Sequence, residues 1–141
     1  MITDAHVGRS YPPTPPYLVT RERISAFARA LGDDLPAYAG VDPVAPPTFA
    51  AVLAASAWGR LFDDPDLGME LRRTIHADQR FTWQRPLRAG DEVTATLTID
   101  KVRARGASAF VSVSVVLATA DDESVCTASS TLLHTWEVTP A

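Results

Sequence analysis

Side chains able to move a proton or hold a developing charge are few in this sequence of 141 residues. The histidines are His6, His76 and His134, and the one thiol is Cys126. No two of these stand at the spacing of a metal-ligand pair, so no metal is expected, and a lone thiol can close no internal disulfide. Cys126 lies in an alternating segment and reads as a small buried hydrophobe. His6 falls in a terminal arm and reads as inert, and His134 reads as a surface or edge residue of the last strand. His76 is placed on the polar face of its strand, where it could reach an interface or a headgroup. A second source of chemistry is the helix entry Pro46-Pro47-Thr48-Phe49-Ala50. The first amides of a helix lack internal acceptors and can polarise a carbonyl or hold an anion. Pro46 and Pro47 have no N–H, so Thr48, Phe49 and Ala50 would be the donors, unless Thr48 simply caps the helix. Neither a Gly-rich phosphate loop nor a Gly-x-Ser-x-Gly turn occurs, and no cofactor is expected.

The elements that must position these groups are legible from periodicity. Tyr11-Pro12-Pro13-Thr14-Pro15-Pro16-Tyr17 is too rich in proline for a helix, so residues 1–19 form an extended arm packed across the domain. Thr20 is the N-cap of a helix over Arg21–Leu31, with Ile24, Phe27, Ala28 and Leu31 on one face and Gly32 ending it. After a loop from Asp33 to Pro43, the segment from Pro46 to Gly59 is apolar nearly all round, which predicts a helix buried on every side. Its alanines Ala50, Ala51, Ala54 and Ala55 leave room beside the helix for a ligand or for close packing against a sheet. The period then changes to two. Strands are expected around Ile75–Trp83, Val93–Ile99 and Val111–Leu117, and from about Val125 to Glu137. The breaks at Arg88–Asp91, Arg105-Gly106 and Asp121-Asp122 read as hairpin turns, giving a four-stranded antiparallel meander. The expected architecture is α+β, a single domain over residues 1–141, with a long antiparallel sheet wrapped around one buried central helix.

Bulk composition excludes several classes. A net charge of −4, with 13 basic residues scattered among 17 acidic ones, offers no basic face for nucleic acid. No apolar run approaches the ~18 residues of a membrane span, and Met1–Arg9 lacks the basic and apolar blocks of a signal peptide. A cytoplasmic protein with no membrane partner is expected. An apolar fraction of 46% suffices for an ordinary core.

The loop Gly32-Asp33-Asp34-Leu35-Pro36-Ala37-Tyr38 resembles the hydratase motif of the MaoC-like (R)-specific hot-dog hydratases and dehydratases. That motif reads Gly-Asp, any residue, Asn-Pro, any residue, His. The family's Asp and His form an acid/base dyad that adds or removes water across the α,β bond of an acyl thioester. Gly32, Asp33 and Pro36 stand where the motif has them, but Leu35 replaces its Asn and Tyr38 its His. A phenol with a pKa of about 10 cannot do the work of an imidazole near neutrality. Asp33 is therefore read as vestigial and no catalytic residue is expected.

The likeness extends to Gly8-Arg9-Ser10-Tyr11-Pro12-Pro13, Ala45-Pro46-Pro47-Thr48-Phe49, Asp78-Gln79-Arg80-Phe81 and Arg85-Pro86-Leu87-Arg88-Ala89-Gly90-Asp91. These segments resemble the small hot-dog subunits of heterodimeric (R)-3-hydroxyacyl-ACP dehydratases. The resemblance implies a non-catalytic, acyl-chain-binding subunit, inactive alone, whose MaoC-like catalytic partner brings the dyad. Its substrate would be acyl-ACP or acyl-CoA in fatty-acid or polyketide metabolism. Tyr38, Pro47, Thr48, Phe49 and His76 would contact that substrate. Two alternatives stay open: a self-sufficient hot-dog hydratase or thioesterase acting as a homo-oligomer, and an acyl-thioester-binding regulatory module. In each case a dimer or larger assembly is expected, because a sheet edge is left to cover.

Overall fold

A computed structural model describes residues 1–137. In chain order its elements are β1 (Tyr17–Leu18), α1 (Arg21–Leu31), α2 (Ala50–Asp63), β2 (Thr74–Trp83), β3 (Glu92–Arg105), β4 (Ser108–Thr119) and β5 (Ser124–Thr135). Short 3-10 turns occupy Pro36–Tyr38 and Pro47–Phe49. Helix α1 has the expected bounds. The Thr20 side chain accepts from the Arg23 amide, and Gly32 closes the helix at φ 68°. Thr20→Ala should remove about 1 kcal/mol of stability, read as a lower urea midpoint at unchanged slope. Ile24 and Ala28 are buried as anticipated, but Leu31, in the last turn of α1, is exposed.

All strand pairs are antiparallel, in the order β1-β3-β4-β5-β2. This corrects the simple four-strand meander. Strands β3, β4 and β5 follow one another, but β2 pairs with β5 at the far side of the sheet. Arg88–Asp91 is thus part of a crossover rather than a hairpin turn. Backbone bonds from Ala45 N–H to Leu87 O (2.8 Å) and from Gly90 N–H to Val19 O (2.8 Å) hold the crossing segment. The N-terminal arm lies along the edge of β3, with the Gly8, Tyr11 and Thr14 amides donating to Ile99, Leu97 and Ala95. Tyr11 Oη and Arg9 both donate to Asp64 at 2.7 Å, pinning the arm to the end of α2.

The core lies between α2 and the concave face of the sheet. Val93, Ala95, Leu97 and Ile99 of β3 and Val111, Val113, Val115 and Leu117 of β4 are buried there, as their alternation predicts. Cys126 is also buried, and burial pushes its thiol up to about 11. Helix α2 does not match the expectation of burial on every side. Ala50, Leu53, Ala54, Ala57 and Leu61 face the sheet, whereas Val52 is 43% exposed and Ala55, Ser56 and Gly59 are open. One five-stranded sheet covers only one side of a helix, so the outer side is uncovered in a single chain.

Two histidines also depart from the sequence reading. His134 is fully buried, directly opposite Thr74 in the ladder, with Nδ1 2.9 Å from Thr74 Oγ1 and the Trp136 ring against its edge. Its Nε2 has no partner among the described residues. Burial holds its pKa below the ordinary 6.5. The unfolded chain therefore takes up a proton that the folded chain resists. Stability is complete above about pH 6.5 and declines as the pH falls below it. Urea midpoints measured from pH 7.5 to 5 should show that decline, and His134→Gln should flatten it. The second case is His76. A bulge between His76 and Asp78 shifts the register. Ile75 therefore faces outward opposite Leu133, and His76 faces the concave side opposite buried Leu132. Strict alternation places the two the other way round, because an extra residue in a strand inverts the pattern beyond it.

Candidate substrate-binding site

The loop after α1 is built by local hydrogen bonds. The left-handed Gly32 turns the chain, and the Asp33 amide donates to Ala28 O at 2.9 Å. Asp33 Oδ1 then accepts from the Leu35 amide at 3.3 Å, which fixes the approach to Pro36. Pro36–Tyr38 closes one tight turn with the Tyr38 amide donating to Leu35 O, and the Val44 amide donates to Ala37 O at 2.9 Å. These bonds set Leu35, Ala37 and Tyr38 as one wall of a cavity of about 460 Å³. Val44, Ala45 and Pro47 form its second wall, and Trp83, Gln84, Arg85 and Pro86 form the third. The size and the largely apolar lining suit a small-molecule or acyl-chain site.

The polar groups at the rim are mostly engaged. Arg85 donates to both Asp91 carboxylate oxygens (2.9 and 3.1 Å) and to Glu123 (2.8 Å). Those two carboxylates, Asp91 foremost, raise the guanidinium pKa. Burial pushes the Asp91 carboxyl up, but Arg85 and the Arg88 amide more than offset it and hold the group below its usual range. Arg85 is thus a clamped wall, with little charge free for an incoming anion.

The expected site residues divide. Tyr38 and Pro47 line the cavity. Thr48 is exposed at the helix entry and makes no capping bond. Of the three candidate donors there, the Phe49 amide is bonded to Pro46 O and the Ala50 amide to Thr48 O. The Phe49 side chain is 2% exposed and packs edge-on against Phe27 (5.2 Å) and Tyr17 (6.3 Å), within the core. His76 lies outside the cavity, its ring 4.7 Å from that of Trp58 on α2. Asp33 borders a separate shallow depression with Ser25 and Arg29, and only Leu35 and Tyr38 belong to both hollows. Residues that sequence reasoning did not assign to the site are Leu35, Ala37, Val44, Ala45 and the run from Trp83 to Pro86. Only the crossover of the chain past the end of β2 brings that run to the loop, and the sequence pattern carries no sign of that pairing.

A five-stranded antiparallel sheet curled around one helix, with a pocket between the helix entry and the loop before it, defines a hot-dog domain. The chain belongs to the FAS1-like dehydratase domain region family, which matches residues 5–128. It is 55% identical over 134 residues to the UPF0336 protein PPA1896 of Cutibacterium acnes, covering 95% of this chain and 94% of that one. To the UPF0336 protein Lxx02810 of Leifsonia xyli it is 42% identical over 141 residues, covering 94% and 95%. Among solved structures it matches a chain of the C-terminally truncated HadBC (3R-hydroxyacyl-ACP dehydratase) complex of Mycobacterium tuberculosis. That match has a TM-score of 0.78 and 30% identity and covers 91% of this chain and 96% of that one. A MaoC-like dehydratase matches at a TM-score of 0.82 and 26% identity, over 94% of this chain and 43% of that one. The MaoC-like resemblance carried by the Gly32–Tyr38 loop is borne out. Among the described residues, no helix is long and apolar enough to cross a membrane.

Proposed function

We propose that this chain is the non-catalytic, acyl-chain-binding subunit of a heterodimeric (R)-3-hydroxyacyl-ACP or -CoA dehydratase. The observation that carries the reading is the position of Tyr38. Where the motif has its histidine, a phenol borders both the apolar cavity and the shallow hollow beside Asp33, whose carboxylate is bonded to the Leu35 amide. An acid/base dyad working near neutrality needs a group that titrates there, and a phenol with an ordinary pKa of about 10 does not replace the imidazole, so this arrangement binds without proton transfer. The cavity takes acyl chain or pantetheine arm, and the partner supplies the Asp and His.

Two features of the fold favour a partner. Among the described residues β2 pairs only with β5, which leaves its other edge free, with His76, Ala77, Asp78, Arg80 and Thr82 exposed along it. A free edge ten residues long is an invitation to pair. Beside it lies the uncovered side of α2. A second hot-dog subunit that extends the sheet from β2 would cover both. A self-sufficient enzyme would need an imidazole at the cavity, and none of the three histidines lines it.

The test is co-expression with a MaoC-like subunit from the same genome, followed by hydration of a long-chain enoyl thioester. Activity is expected in the co-purified pair and not in this chain alone. Turnover by the purified chain alone overturns the proposal.

A further inference from the structure

We propose that the outer face of the sheet is a self-association surface, on which a second copy of this chain packs sheet against sheet about a two-fold axis parallel to the strands. This inference goes beyond the proposed function and does not depend on it. The bulge in β2 turns Ile75 outward, where it is 62% exposed. Its cross-strand neighbour is Leu133, and the neighbour of Leu133 on the other side is Phe110, 48% exposed. One row of the ladder thus presents an apolar band across β2, β5 and β4 on the face turned away from the core. Contiguous exposed apolar surface of this kind marks an interaction site.

The charges beside the band identify the occupant. The next row of the ladder reads Lys101, Ser112, Thr131, Asp78 across β3, β4, β5 and β2, so it is cationic at one end and anionic at the other. One row further, Arg80 stands on the β2 side and Asp100 on the β3 side, where its Oδ1 accepts from Ser114 Oγ at 3.0 Å. The sign at each end is therefore reversed between the two rows. None of these four charges has an oppositely charged partner within the chain among the described residues.

A two-fold axis along the strands sets each row against the same row of the copy, with its order reversed. Lys101 then meets Asp78, Arg80 meets Asp100, Phe110 meets Leu133, and Ile75 meets the aliphatic stem of Arg103, which continues the apolar row onto β3. Each pairing occurs twice, as an isologous interface requires. Between them lie the small hydroxyls of Ser112 and Thr131, which let two sheets approach to the ~10 Å of face-to-face packing. A uniformly acidic or basic partner would leave two of the four charges facing their own sign.

Chemical cross-linking and particle mass test the proposal. Within one chain Lys101 and Asp78 are three strands apart, about 14 Å at the usual strand spacing. Across the interface the facing positions are about 10 Å apart, too far for a direct disulfide. A bis-maleimide that spans the shorter distance but not the longer should join the Lys101→Cys, Asp78→Cys double variant into a covalent dimer, and neither single variant. By light scattering, Phe110→Glu should halve the particle mass with the far-UV spectrum unchanged. Lys101→Glu should weaken association at least tenfold, and adding Asp78→Lys should restore it. A double-cysteine variant that stays monomeric on denaturing gels overturns the proposal. So does an unchanged mass for Phe110→Glu.

Discussion

Phe49→Ala is expected to destabilise the fold by about 3–5 kcal/mol, the range for truncating a buried aromatic. The ring is 2% exposed at the entry to α2 and packs edge-on against Phe27 of α1 and Tyr17 of β1. Removing it opens a void where three elements meet. Collapse is restricted, because Pro46 and Pro47 fix the backbone on one side and α2 continues on the other. A large fall in the denaturant midpoint at unchanged slope is the expected reading. Wild-type stability combined with lost acyl binding would return Phe49 to the substrate site and remove it from the core.

The second large effect is on binding. Ala37 is exposed at the mouth of the cavity, on the tight turn that also carries Tyr38. Ala37→Trp would place an indole across a space of about 460 Å³ while leaving the core untouched. Affinity for a long-chain acyl thioester should fall at least tenfold, about 1.4 kcal/mol, with little change in melting temperature. In the paired enzyme KM should rise more than kcat falls, because the lost interaction is ground-state binding. Equal affinity in wild type and variant would show that acyl groups bind elsewhere.

Much of this fold can be read from the sequence because local rules and tertiary packing agree. Thr20 and Gly32 mark the ends of α1, and the alternations in β3 and β4 give their buried faces without correction. The failures share one physical cause, dependence on long-range geometry. Periodicity cannot show that β2 crosses to β5, so it cannot bring Trp83–Pro86 to the loop before α2. A single bulge near Ala77 exchanges the faces of Ile75 and His76. His134 reads as an edge residue, yet Trp136 and the end of the sheet cover it. The candidate site was half legible. Tyr38 and Pro47 come from a motif and a helix entry, but the opposite wall comes from topology alone.

That Asp33 and Tyr38 transfer no proton stands or falls on the hydration rate of the co-purified pair, with Asp33→Ala in this chain and an intact dyad in the other. The expected rate is within about twofold of wild type, because general acid/base groups contribute ~10²–10⁴-fold and Asp33 contributes none of that. A loss of a hundredfold or more, with the complex still assembled, would instead place Asp33 in the reaction.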